Sequence, residues 1–111
     1  VHVFGAIRGR ASVENEIRNR LKWFFHDEEA VEECMQKCVI YDDVHFGGFG
    51  KQQPALIEFM KELNVDLQLP TDIVYTSKMF FQMKQMKKPN EGSVLMFHTG
   101  GLQGNPKTIF D

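Results

Sequence analysis

The chain has 111 residues, 42% hydrophobic and 25% charged, an ordinary globular composition in a sequence short enough for at most one domain. With 13 basic and 15 acidic residues and a formal charge of -2, it offers no basic field to hold a nucleic-acid backbone or an anionic membrane. Its longest apolar runs, Val94 to Phe97 and Trp23 to Phe25, fall far short of the roughly 20 residues a membrane-spanning helix requires, so a soluble protein is expected.

Val1-His2-Val3-Phe4-Gly5-Ala6 reads as a strand that opens at residue 1. Nothing in it resembles an initiator, a tag or a leader, so a piece of a longer chain is expected. Arg8-Gly9-Arg10 reads as a turn, and Ser12 is placed to cap a helix whose apolar residues Val13, Ile17, Leu21 and Phe24 recur at three to four. Glu14, Arg18 and Lys22 follow at spacing four and predict charge pairs on its wet face. A second, acidic helix is expected over Asp27 to Met35, then a short strand at Cys38-Val39-Ile40-Tyr41. Cys34 and Cys38 read as reduced thiols of a cytoplasmic protein.

His45-Phe46-Gly47-Gly48-Phe49-Gly50-Lys51 has three glycines in four positions and must be a loop. Pro54 suits the first turn of a helix with Leu56, Ile57, Met60 and Leu63 on one face. Pro70, Thr71 and Asp72 announce another helix, with Tyr75, Met79, Gln82, Met83 and Met86 as its stripe and Lys87-Lys88-Pro89 as its end. After the turn at Asn90-Glu91-Gly92, Ser93 to His98 reads as a strand buried on both faces. The order β, α, β, α, α, β points to an α/β, three-layer architecture with a mostly parallel sheet, where ligands sit at the carboxyl ends of strands. One α/β segment over residues 1–111 is expected, with 105–111 as a tail.

That rule directs attention to His98-Thr99-Gly100-Gly101-Leu102-Gln103-Gly104, where paired glycines let backbone approach a ligand and Thr99 offers a hydroxyl; a plain turn is the other reading. Tyr75-Thr76-Ser77-Lys78 gathers a phenol, hydroxyls and an amine at a helix start, although Thr76 and Ser77 could simply satisfy first-turn donors and Tyr75 could pack in the core. The glycine loop lacks the Gly-Lys-Ser/Thr of a phosphate loop. Lys51 and Lys78 read as solvated, since a Schiff-base lysine needs a desolvated pocket to lower its pKa. Cys34, Cys38, His26 and His45 lack the spacing of a zinc site, so no metal is expected.

Four segments in order, His45 to Lys51, Pro70 to Lys78, Glu91-Gly92-Ser93 and His98 to Gly104, carry a resemblance to the C-terminal part of the 1-aminocyclopropane-1-carboxylate deaminase and D-cysteine desulfhydrase family. These are pyridoxal 5'-phosphate (PLP) enzymes of fold type II, related to the tryptophan synthase β subunit. The resemblance implies a lyase or deaminase acting on a small amino acid, working as a homodimer, with its Schiff-base lysine and phosphate loop outside this chain. It puts Tyr75 at the active-site tyrosine, Thr76 and Thr99 beside the cofactor ring with Gly100, and Phe49 in the substrate pocket, where relatives commonly have tyrosine. Ser77 stands where the family motif has glycine. Ring-opening deaminases typically carry glutamate and leucine at the positions of Thr76 and Thr99, whereas desulfhydrases carry threonine at both, so D-cysteine-type α,β-elimination is favoured over ring opening. The 111 residues alone are expected to be inactive, and a non-catalytic α/β binding domain is the reading from another class.

Overall fold

The computed structural model describes residues 1–5, 9–43, 46–47, 51–86 and 92–111. The chain divides into two compact units, Val1–His45 and Phe46–Asp111. In the first, β1 (His2–Phe4), α1 (Arg10–Phe25), α2 (Glu28–Gln36) and β2 (Val39–Tyr41) follow in order. The strands pair in parallel, with His2 opposite Val39 and Phe4 opposite Tyr41, a geometry that needs a long crossover such as these two helices supply.

α1 begins earlier than Ser12 predicts. Gly9 is its N-cap, at a φ of 121° that suits glycine, and Ser12 lies inside the first turn, donating its backbone N–H to Gly9 O at 3.0 Å. Asp27 caps α2 by accepting from Glu29 N at 3.0 Å. The charges pair differently from the predicted ladder: Glu14 takes Arg10, while Arg18 and Lys22 reach across to Glu32 and Glu28 of α2. Surface pairs of this kind contribute little to stability. Val31 and Ile40 are buried, whereas α1 has no buried residue among those described, and Trp23 and Phe24 lie exposed.

The second unit is built on α3 (Pro54–Leu67) and α4 (Thr76–Met86). Pro54 opens α3, and Leu56, Phe59, Met60 and Leu63 form its buried face. Leu56 and Met60 meet Ile73, Val74 and Ile109 in one core, so the terminal segment 105–111 adds an apolar anchor. Phe81 of α4 packs edge-on against Phe59 and Phe46, at centroid distances of 5.3 and 4.9 Å, a favoured aromatic geometry.

Two expectations are corrected here. The described residues hold four α-helices and a two-stranded parallel sheet, not a three-layer fold with a mostly parallel sheet. The difference lies chiefly in Ser93 to His98, which forms no strand. Its four successive apolar residues suggested burial on both faces, but Leu95 and Phe97 are 80% and 73% exposed. Val94 and Met96 instead line an open groove of about 540 Å³ beside Phe59, Leu63, Phe80 and Met83. Among the described residues no strand pairs with this segment.

Because Leu56 is fully buried at the centre of the second core, Leu56→Ala should lower the unfolding free energy by about 2–5 kcal/mol. Denaturant titration followed by circular dichroism measures the loss.

Candidate functional site

The turn from Thr71 to Lys78 is organised by one carboxylate. Asp72 Oδ1 accepts from the backbone N–H groups of Val74 at 2.9 Å and Tyr75 at 2.7 Å. Asp72 Oδ2 accepts from Thr76 N at 2.8 Å and from the Thr76 hydroxyl at 2.5 Å. The Asp72 N–H in turn donates to Thr76 Oγ1 at 2.9 Å, and its carbonyl accepts from Ser77 N at 3.1 Å. The first-turn donors of α4 are thus met by Asp72, four residues before Thr76, rather than by the Thr76 and Ser77 hydroxyls. Burial pushes the Asp72 carboxyl up, but the bonds from the Thr76 hydroxyl and then from the Thr76, Tyr75 and Val74 amides outweigh it and hold the group below the usual carboxylate range.

The segment His98–Asn105 closes on this turn. His98 Nε2 donates to Pro70 O at 2.8 Å, and Gly100 N donates to His98 Nδ1 at 3.1 Å, partners that call for the neutral ring protonated at Nε2. Asn105 Nδ2 donates to Thr71 O at 2.9 Å while its Oδ1 accepts from Ile73 N at 2.8 Å. Gly101, at a φ of 96°, lies so near that a Cβ there would stand 3.1 Å from Asp72 Cγ; beside Gly100, at a φ of 90°, a Cβ would meet open space.

The predicted site residues separate by environment. Tyr75 is 56% exposed, so it is not a core tyrosine, and Thr99 is exposed as well. Thr76 is buried, with its hydroxyl engaged to Asp72 as both donor and acceptor. Phe49 lies outside the described residues. Lys51 is exposed, but the solvated reading of Lys78 is corrected: its residue is only 1% exposed. Burial pulls the Lys78 amine below its usual value, and the charge of Asp72 opposes that pull. Thr71 Oγ1 and Ser77 Oγ are also buried, with no hydrogen-bond partner among the described residues.

The pattern of residue types marked Tyr75, Thr76 and Thr99 and placed Asp72 at a helix start, but it gave the Asp72 carboxylate no organising role, read Lys78 as solvated and passed over Asn105. A signal for Asp72 was available, since an aspartate two to four residues before a helix invites capping. Burial of Lys78 had none, because lysine is a residue type that mostly faces solvent and this one lies off the predicted apolar stripe.

Among the described residues no group of three or more His, Cys, Asp or Glu side chains gathers to hold a metal ion, and no helix is long and apolar enough to cross a membrane. No family model, curated protein or solved structure matches the chain.

Two outcomes follow from this geometry. Gly101→Ala, which places a methyl group against the Asp72 carboxyl at a positive φ, should cost about 1–3 kcal/mol of stability in a denaturant titration. The lowered amine of Lys78 sets the sign of an alkaline effect. Its folded pKa lies below its unfolded one, so between the two the unfolded chain binds more protons and stability rises with pH. That rise should level off near the ordinary lysine value of about 10.4 and should be absent in Lys78→Met, as read from unfolding midpoints across the alkaline range.

Proposed function

We propose that the chain is the C-terminal part of a PLP-dependent lyase acting on a small amino acid in the cytoplasm, with α,β-elimination from D-cysteine as its reaction. The observation that carries the reading is the approach of two of the four segments on which the resemblance rests: Gly101 lies against Asp72, and His98 binds Pro70. Tyr75 and Thr99, one from each segment, are both exposed, as groups that meet a ligand must be.

The residues present fit such a cofactor. Backbone at Gly100 opens onto free space, which allows a planar ring to approach main chain, and Thr99 supplies a neutral hydroxyl there. A neutral partner near the pyridine nitrogen does not compel its protonation as a carboxylate would. Bound PLP would supply the electron sink that acidifies the substrate Cα–H. The Tyr75 phenol would stand on the substrate side as a hydrogen-bond donor or proton carrier. Thr76, with its hydroxyl turned to Asp72, contributes by fixing the backbone between Tyr75 and α4. Lys78 meets the desolvation condition for a Schiff-base amine, but a residue 1% exposed is closed to an incoming carbonyl, so that role falls to a lysine outside this chain. The working assembly is a homodimer in this reading.

The test uses the full-length enzyme. It should show cofactor absorbance, release sulfide and ammonia from D-cysteine, and leave 1-aminocyclopropane-1-carboxylate unopened; Tyr75→Phe should lower kcat by about 10²-fold or more. A full-length protein that binds no PLP would sink the reading and leave a binding domain in its place.

A further inference from the structure

We infer that Asp72 is the positioning residue of the proposed site, holding the turn that carries Tyr75 and Thr76 against the Gly100–Gly101 turn that carries Thr99. The inference rests on the reading above and deepens it, but the geometry behind it does not involve a cofactor.

Asp72 is 1% exposed. Four donors converge on its two oxygens, the amides of Val74 and Tyr75 on Oδ1 and the amide and hydroxyl of Thr76 on Oδ2. The side chain therefore fixes the direction in which the backbone leaves residue 74 and, with it, where the Tyr75 side chain starts. The same carboxyl forms the surface met by Gly101, since a Cβ there would lie 3.2 Å from Oδ2 and 3.3 Å from Asp72 Cβ. One group thus touches both turns. Asn105 and His98 add bonds to Thr71, Ile73 and Pro70 on either side, but neither reaches residues 74–76 in those bonds.

A carboxylate is suited to this place and an amide is not. Asparagine could still accept from Val74 and Tyr75, but its NH2 would face the Thr76 N–H, donor against donor, on the side that meets Gly101. A cap that served only helix stability would lose stability on that change and leave the glycine turn where it stands.

The experiment has two arms. In the first, amide signals of this chain are followed by NMR as acid is added. Val74, Tyr75, Thr76 and Gly101 should move together with one midpoint below the usual carboxylate range, and in Asp72→Asn the Gly100 and Gly101 signals should be displaced while those of Leu56 and Met60 stay. Lys78 and His98 are the other titratable groups of the cluster, so His98→Asn is titrated in parallel to separate its contribution. In the second, Asp72→Asn in the PLP-loaded full-length enzyme should lose about tenfold or more in kcat, with KM and cofactor absorbance within about twofold of the unaltered enzyme. A Gly101 amide that ignores the titration of Asp72, or a loaded variant with undiminished kcat, overturns the inference. If the asparagine variant does not fold, the titration of the unaltered chain decides alone. If the full-length enzyme holds no PLP, the proposed function falls, while the amide titration still decides what Asp72 positions.

Discussion

The second unit depends on a buried carboxylate being fully hydrogen-bonded. An isolated carboxylate out of water is costly enough that it ordinarily takes up a proton instead. At Asp72 the donors of Val74, Tyr75 and Thr76 remove that cost, and the same bonds satisfy amides that a helix start otherwise leaves open. Residues 73 and 74, which follow it at once, enter the core with Leu56, Met60 and Ile109. Polar anchor and apolar anchor are therefore consecutive in the chain, and the placement of α4 on α3 cannot be changed without disturbing the turn that presents Tyr75.

Around that turn the interior is more polar than stability alone would favour. Thr71, Asp72, Thr76, Ser77 and Lys78 are all buried, and two of their hydroxyls lack partners among the described residues. Buried polar atoms without partners cost on the order of 1–3 kcal/mol each, and burial disfavours the charged form of Lys78. An apolar core of the same volume would be more stable. Departures of this kind concentrate where a fold serves something other than its own stability, and here they lie within Pro70 to Lys78, one of the four segments from which the proposed function is drawn.

Local chemistry made much of this legible in the sequence. Pro54 and the spacing of Leu56, Met60 and Leu63 located α3 and its buried face, because a proline start and a 3.6-residue period are properties of the segment itself. The acidic stretch Asp27 to Met35 likewise located α2, although Asp27 proves to be its cap rather than its first residue. The exposure of Ser93 to His98 was not legible, since a run of four apolar residues is equally compatible with a central strand and with a segment that joins no sheet. Which of these occurs depends on whether another strand lies alongside, and the segment does not carry that information. Lys78 is the opposite case: its residue type points outward, and only the packing of the whole turn draws it in.

The environment of Thr76, buried and bonded to Asp72, changes how its identity would bear on substrate choice under the proposed function. If the proposed function holds, ring-opening enzymes would have glutamate at this place and desulfhydrases threonine, a contrast that would ordinarily be assigned to direct contact with the ligand. Here the hydroxyl gives its proton to Asp72 Oδ2 and accepts from the Asp72 amide, so its first effect is on the turn. A carboxylate at residue 76 would remove that proton donor and set a second negative charge beside Asp72, where like charges at short range disfavour one another and raise the pKa of one partner. The buried acid would have to be relieved by a proton or by moving the turn, and either would alter how Tyr75 is presented. The residue at 76 and the carboxylate at 72 are therefore coupled, and under the proposed function a change of substrate made at the one position would also have to be accommodated at the other.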